Sequence, residues 1–361
     1  EVAGPPVTPF SAFDHAMMAR ALALAGNGLF TATPNPRVGC VVAKNEAILG
    51  EGWHEKTGDP HAEVAAIERA GAQAAGATLY VNLEPCNHHG RTAPCVDLIL
   101  KNKIKRVVAA MLDPNPEAAH GGAQLAAAGI GFEHGLMQEA AAELNIGFVS
   151  RMTRGRPWVR MKIAATLDGR TALADGRSQW ITGPEARKDG HRWRARACAI
   201  LTGIGTVKAD DPRLTVREVE TSRQPLRVVV DSRLEISETA KVLEGGNVLV
   251  FCGIEKKRNV NAEILNAPNP GGKVDLPKML QELGRRGVNE LHVEAGFRLN
   301  GSLVREGCVD EFLIYLNPSF LGDEAQGMLA LPGISALEQK IKTRITSLDR
   351  VGDDIRILAR L

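Results

Sequence analysis

Aromatic side chains are scarce: two tyrosines, four tryptophans and nine phenylalanines in 361 residues. Proteins that hold single-stranded nucleic acid stack its bases on aromatic rings, so this scarcity argues against such a platform. A dominant sign of charge is also lacking. Forty-four basic and 42 acidic side chains leave a formal net charge of +2, which gives no electrostatic reason to expect nucleic-acid or membrane binding. No apolar run reaches the ~18 residues that a membrane span needs. The opening EVAGPPVTPF has neither the basic flank nor the apolar centre of a signal peptide. Six cysteines are too few for a disulfide scaffold. Cys40, Cys198, Cys252 and Cys308 stand in apolar or small-residue contexts such as VGCVV and ACAIL. They read as reduced core thiols of a cytosolic protein.

Apolar and charged residues make up 44% and 24% of the chain, ordinary for a globular protein, and its length predicts two domains. The first half alternates helix and strand patterns. Asp14–Gly28 reads as a helix, and RVGCVVAKNEAILGEGW as a hairpin turning at KNE. In DPHAEVAAIERAG, Asp59 is placed to cap a helix, Pro60 to open it and Gly71 to end it. TLYVNL and RVVAAML read as strands and PCVDLILKN as a helix. Such alternation implies a mainly parallel sheet covered on both faces. The basic segment SRMTRGRPW (150–158) is the linker expected between domains 1–155 and 156–361. The second half restarts the rhythm with WVRMKIAAT, LRVVVD, NVLVF, ELHVE and DEFLIYL as strands, a loop over about 254–275 and a final hairpin.

The chemistry concentrates in two stretches, HAEV and NLEPCNHHGRTAPC. The expected helix start places His61 and Glu63 on its opening turn, and Cys86 follows a strand end, where ligand sites of α/β sheets lie. His61, Cys86 and Cys95 offer three donors, and three donors leave a fourth zinc position open for chemistry. Glu63 then stands beside the metal's water as an acid–base group. H-x-E followed by P-C and a second cysteine is the zinc-deaminase layout, although here eight residues separate the cysteines instead of two. A closed structural zinc site, with His88 or His89 as fourth ligand, is the competing reading.

TPNPRVGCVV, GWHEKTGDPHAEV, NLEPCNHHGRTAPC and DPNP together resemble the deaminase domain of the bifunctional riboflavin-biosynthesis deaminase/reductase family. KIAATLDGRTA, SQWITG, TVKADDPRLTVR and VEAGFRLNGSLVREG resemble that family's reductase half, in the expected order. Asn87 and Ala93 depart from the usual cysteine loop, and HGG (120–122) from the usual Gly-Lys-Gly turn; no role is assigned to that turn. The resemblance implies an α/β fold: an N-terminal cytidine-deaminase-like three-layer α/β/α domain and a C-terminal dihydrofolate-reductase-like α/β domain. It implies zinc-dependent hydrolytic deamination of a phosphoribosylaminopyrimidine, then NADPH-dependent reduction of its ribosyl group to ribityl. It further implies that Asn35, His54, His88, Arg91, Asp113 and Asn115 line the first substrate pocket, Arg91 suiting the phosphate. Ala164, Trp180, Thr206, Asp210, Ser232 and the run Gly296, Phe297, Arg298, Leu299, Asn300, Gly301 and Ser302 would bind NADPH. Ser178, Arg194, Leu214, Arg217 and Glu294 would hold the second substrate. No residue stands out as the reductase's general acid; Asp210 and Glu294 are candidates by charge alone.

GIGTV (203–207) by itself is a weak dinucleotide signal, without a third glycine or a paired acid. The expected partner is a small phosphorylated pyrimidine, with neither nucleic acid nor membrane, and the expected assembly is a homo-oligomer, dimer or tetramer. Two full motif sets predict two independent sites. A nucleic-acid deaminase shares the H-x-E and P-C motifs but not the second half, and a non-catalytic module with structural zinc would need a fourth ligand.

Overall fold

The structure, a computed structural model, describes residues 10–88, 94–256 and 258–361, and the chain divides into the units Glu1–Thr153 and Arg154–Leu361. The first unit contains α1 (Ala12–Gly26), β1 (Gly39–Lys44), β2 (Ala47–Trp53), α2 (Ala62–Ala70), β3 (Thr78–Val81), α3 (Cys95–Lys101), β4 (Arg106–Ala109), α4 (Gly121–Ala127), β5 (Gly131–His134) and α5 (Gln138–Leu144). Its last helix, α6 (Ile146–Arg154), runs to the division. The five strands lie in the order β2-β1-β3-β4-β5. β1 is antiparallel to β2 and β3, whereas β3, β4 and β5 are parallel.

Side chains alternate across β1. Cys40 and Val42 enter a core with Ala62, Ile67, Leu79 and Val96, while Val41 and Ala43 enter another with Met17, Met18, Tyr80 and Phe148. Both sheet faces are therefore covered. Missing β-carbons let the helices come close. A Cβ at Gly39 would stand 2.0 Å from the Ala21 carbonyl of α1, and one at Gly52 would stand 2.5 Å from the Ala62 carbonyl of α2. Gly52 thus allows the first turn of α2, the carrier of Glu63, to settle on the sheet.

The second unit contains β6 (Trp158–Thr166), β7 (Arg170–Ala172), α7 (Pro184–Arg196), β8 (Ala199–Gly203), α8 (Ile204–Asp210), β9 (Leu226–Val230), β10 (Val248–Cys252) and β11 (Glu263–Asn266). There follow α9 (Leu276–Arg285), β12 (Glu290–Val293), α10 (Phe297–Arg305), β13 (Glu311–Asn317), β14 (Gln326–Gly327), β15 (Arg344–Val351) and β16 (Asp354–Arg360). Its nine-stranded sheet has the order β11-β10-β9-β8-β12-β6-β13-β16-β15. The pairings from β11 to β13 are parallel, and β16 and β15 close the far edge as an antiparallel hairpin. Val159, Met161, Ile163 and Ala165 of β6 enter one core. Between them, Arg160 faces Glu290 and Glu311, and Lys162 faces the cavity described below.

Several expectations need correction. α2 begins two residues later than the Asp-Pro signal predicts: His61 is its N-cap and makes no side-chain capping bond. Neither Asp59 as cap nor Pro60 as first helical residue survives. The segment read as a linker is mostly helix, since α6 extends to Arg154. The loop expected over 254–275 contains β11, which adds a parallel strand beyond β10. None of the six cysteines forms a disulfide, and Cys198 is half-buried rather than fully in a core.

Candidate active sites

Both candidate sites lie beyond the C-terminal ends of parallel strands, where diverging loops leave a crevice. In the first unit the crevice sits past β3 and β4. The Nδ1 atom of His61 lies 3.3 Å from Cys95 Sγ and 3.5 Å from Cys86 Sγ, and the three donor atoms fall within 4.8 Å of one another. Cys86 also organises the start of α3: its Sγ accepts from the Cys95 N–H at 3.4 Å and its carbonyl from the Val96 N–H at 3.4 Å. A hydrogen bond from the Cys95 thiol draws the Cys86 thiol towards its thiolate, and the contacts with His61 and the Cys95 N–H add to this. The same Cys86 contact raises the His61 pKa to about 9. Among the described residues no fourth His, Cys, Asp or Glu joins the group. His88 lines the cavity instead; His89 and Arg91 lie outside the described residues.

A cavity of about 440 Å³ opens above these donors. Asn35, His54, Glu63, His88, Asp113 and Asn115, all expected from the sequence, line it. Glu63 is buried, and burial raises its carboxyl pKa. Burial also lowers the His54 pKa and favours the neutral ring. His54 Nδ1 then donates to the Pro60 carbonyl at 3.1 Å, and Nε2 accepts from the Asn35 amide at 3.0 Å. This aims the Asn35 carbonyl end away from His54. Asp113 Oδ1 accepts from the Asn115 N–H at 2.8 Å, and burial pushes the Asp113 carboxyl up to about 6.

Four further residues escaped sequence reasoning. Glu84 is buried, and its two oxygens accept from the Asp113 N–H at 3.0 Å and the Gly122 N–H at 2.8 Å. It ties the Asp113 loop to the start of α4. Phe148, Arg151 and Met152 reach the cavity from α6. The turn at 120–122, given no role from sequence, has a packing one. A Cβ at Gly121 would stand 1.9 Å from the Pro85 carbonyl, next to Cys86. Gly121→Ala is therefore expected to displace Cys86 and weaken metal affinity by about 10- to 100-fold, the usual cost of disturbing a ligand's support. Competition with a chromophoric chelator measures it.

In the second unit a cavity of about 1200 Å³ follows the ends of β6, β8, β9 and β12. Ala164, Ser178, Trp180, Thr206, Asp210, Leu214, Arg217 and Ser232 line it, as do Gly296, Phe297, Arg298, Leu299, Asn300 and Ser302. Gly301 does not. It faces the other way, where a Cβ would stand 2.1 Å from the Ala330 carbonyl, so its smallness serves helix packing. Arg194 and Glu294 also line the cavity but grip each other: Nε donates to Oε1 at 2.5 Å and Nη2 to Oε2 at 2.7 Å. Burial opposes ionisation of Glu294, and the Arg194 guanidinium overrides it, holding the carboxyl well below its ordinary range. Arg194 Nη1 donates to the Thr215 carbonyl at 3.0 Å and so fixes the Leu214–Arg217 loop. Lys162, unmarked by any motif, projects from β6 into the same cavity, where burial lowers its pKa.

Comparison with known proteins places both halves. Residues 157–357 match the RibD C-terminal domain, and residues 11–111 match the cytidine and deoxycytidylate deaminase zinc-binding region. The riboflavin biosynthesis protein RibD of Escherichia coli is 43% identical over 358 residues, covering 95% of this chain and 98% of the relative. That of Aquifex aeolicus is 42% identical over 349 residues, covering 95% and 97%. Among solved structures, Acinetobacter baumannii RibD superposes with a TM-score of 0.90 at 40% identity, covering 96% of this chain and 98% of that one. A diaminohydroxyphosphoribosylaminopyrimidine deaminase/5-amino-6-(5-phosphoribosylamino)uracil reductase from Thermotoga maritima superposes with a TM-score of 0.88 at 32% identity, with the same coverage of 96% and 98%. Similarity of this extent, spanning both units in order, settles the family: the chain belongs to the RibD proteins, bifunctional deaminase/reductases of riboflavin biosynthesis.

Proposed function

We propose that the deaminase half, residues 1–155, acts on diaminohydroxyphosphoribosylaminopyrimidine, and that the reductase half, residues 156–361, reduces the resulting 5-amino-6-(5-phosphoribosylamino)uracil. These are the two activities named for the Thermotoga maritima relative. The observation that carries the first step is the convergence of His61, Cys86 and Cys95 beneath a cavity lined by Glu63. Two sulfurs and one imidazole nitrogen suit zinc and leave room for a fourth group. When bound, zinc supplies Lewis-acid activation of the attacking water. Glu63 takes a proton from that water and delivers it to the departing amine. Water oxygen thereby ends on the ring carbon and ammonia leaves. Asn35, neutral His54, His88, Asp113 and Asn115 orient the pyrimidine, and Arg91 takes the phosphate.

NADPH fits the second cavity by the same test. Gly203 and Gly296 leave the strand-to-helix turns of α8 and α10 without side chains, and the buried Asn300 Oδ1 has no hydrogen-bond partner among the described residues. Helix α10 opens at Gly296, so its free N–H groups favour an anionic diphosphate. When bound, NADPH supplies the hydride that converts the ribosyl group to ribityl. Ala164 and Trp180 position the nicotinamide end, with Thr206, Asp210, Ser232 and the 296–302 run along the rest of the cofactor. Ser178, Leu214 and Arg217 hold the substrate, on a loop fixed by Arg194 and Glu294.

Feeding the diaminopyrimidine with and without NADPH tests the order. Without cofactor the product should stop at the aminouracil; with it the ribityl compound should form. Treatment with a zinc chelator should stop deamination and leave reduction of supplied aminouracil intact. NADPH oxidation without prior ammonia release would contradict the sequence of steps.

A further inference from the structure

Leu214 and Arg217, two side chains proposed to hold the second substrate, stand on a segment with no regular structure. Among the described residues, no backbone–backbone hydrogen bond involves residues 212–217. Leu214 has a φ of 53°, a left-handed backbone that bulky side chains seldom adopt. It is nevertheless buried and lines the cavity. Such a segment keeps one conformation only where its surroundings over-determine it.

Side chains do the holding here. Arg194 Nη1 donates to the Thr215 carbonyl at 3.0 Å. Gln224 grips Val216 as a neighbouring strand would: its Oε1 accepts from the Val216 N–H at 2.8 Å, and its Nε2 donates to the Val216 carbonyl at 3.0 Å. His191 Nδ1 accepts from the Arg217 N–H at 3.2 Å. Backbone groups of three consecutive residues thus find their partners on three side chains.

His191 and Arg194 stand three positions apart on α7, which brings them to one face of the helix. Arg194 lines the cavity; His191 is buried behind it, and Gln224 also stands outside the lining. Burial, with the nearby cations of Arg194, Arg217 and Lys162, outweighs Glu294 and lowers the His191 pKa to about 4. The ring is therefore neutral at neutral pH, and its Nδ1 is free to accept. Arg217 is exposed, with Nη1 donating to Thr215 Oγ1 at 3.0 Å. Its Nε and Nη2 make no hydrogen bond among the described residues. That edge of the guanidinium suits two oxygens of one phosphate.

We propose that His191 and Gln224 are positioning residues for the reduction, holding the 214–217 loop so that Leu214 and Arg217 meet the phosphorylated substrate. The role rests on the proposed reading of those two side chains as substrate contacts. Neither His191 nor Gln224 touches substrate or cofactor; each acts through the loop backbone.

Steady-state reduction of supplied aminouracil by the full chain, with NADPH, tests the pair. His191→Leu removes the acceptor for Arg217, and Gln224→Leu removes both contacts to Val216. Each should raise KM for the aminouracil about tenfold or more, the scale on which a misplaced contact acts. The kcat and the KM for NADPH should stay within about threefold, since lost substrate binding alone leaves kcat in place. His191→Asn, whose Oδ1 can stand where Nδ1 stood, should keep KM within about threefold of the unaltered chain. Adding His191→Leu to Arg217→Gln should raise KM by less than about a further threefold, because both act through one contact. Gln224 is exposed, so its variant keeps the test open if the His191 variants fold poorly. A lower apparent kcat with unchanged KM in the leucine variants would make the residues structural only and overturn the proposal. Full multiplication of the His191→Leu and Arg217→Gln effects would overturn it for His191, as would a KM in His191→Asn as high as in His191→Leu. An equal rise in the KM for NADPH would assign the loop to the cofactor and overturn it as well. Failure of the unaltered chain to oxidise NADPH with the aminouracil would instead remove the underlying reading of the reductase site.

Discussion

Glu63→Gln should lower deamination by a factor of roughly 10² to 10⁴, the usual contribution of a positioned acid–base group. The substitution keeps size and hydrogen-bonding shape but removes the ability to accept and return a proton. Glu63 lies in the first turn of α2 and is buried. Glu84, the other buried carboxylate lining the cavity, already accepts two backbone N–H groups. Glu63 is not one of the three grouped donors, so the variant should retain its zinc. Ammonia release measures the loss, elemental analysis checks the metal, and reduction of supplied aminouracil should continue at its former rate. Deamination surviving in a zinc-loaded variant would remove Glu63 from the chemistry.

The second large effect is expected at Arg194, through stability as well as activity. Arg194→Met strips Glu294 of its bidentate partner while leaving the carboxylate within the protein. His292 Nε2 stands 3.2 Å away, but its own burial disfavours the charged ring. The pair is partly buried, so losing its charge-assisted hydrogen bonds costs about 1.5–3 kcal/mol. The unfolding transition of the Arg154–Leu361 unit should move accordingly in urea. Tryptophan fluorescence suits the measurement, because Trp158, Trp180 and Trp193 lie in this unit. Reduction should fall as well, since the Thr215 carbonyl loses its donor and the Leu214–Arg217 loop its anchor. The double variant Arg194→Met/Glu294→Leu separates the two effects. It should recover most of the stability, because apolar replacement of both partners is often nearly neutral, without recovering reduction. If activity returned together with stability, Arg194 would be a structural residue only.

The grouping of the three candidate metal donors was legible in one dimension because they are rare residue types at telling places: His61 before a helix, Cys86 after a strand, Cys95 at the next helix start. Sequence did not reveal how those places are held. Glu84 works through backbone N–H groups 29 and 38 residues away, and no local pattern announces such acceptors. Gly121 matters for what a side chain would hit, which appears only once Pro85 is placed against it. Asp59 and Pro60 carried a strong helix-start signal, yet the helix opens at Ala62 behind His61. Residues 150–154, the second half of α6, read as linker because the arginines there obscure the helical spacing that turns Phe148 and Met152 inward to the cavity. β11 was missed because a four-residue strand at a sheet edge needs no long apolar run. Lys162 was hidden for the opposite reason: it sits within an apolar strand whose alternate residues build the core on the other face.

The strand order of the second sheet has a consequence in time. β6 is the first strand of its unit to be synthesised, yet it takes a place between β12 and β13, more than 120 residues further along. β13 in turn pairs with β16, which ends at Arg360. A ribosome delivers the chain from its N-terminus, and domains generally fold as units as they emerge. The residues proposed for deamination, from Asn35 to Asn115, are all present once the first unit is out. The reductase sheet must wait for nearly the last residue. Chains truncated near residue 160 and released from the ribosome should therefore already bind zinc, whereas NADPH binding should appear only when translation is almost complete.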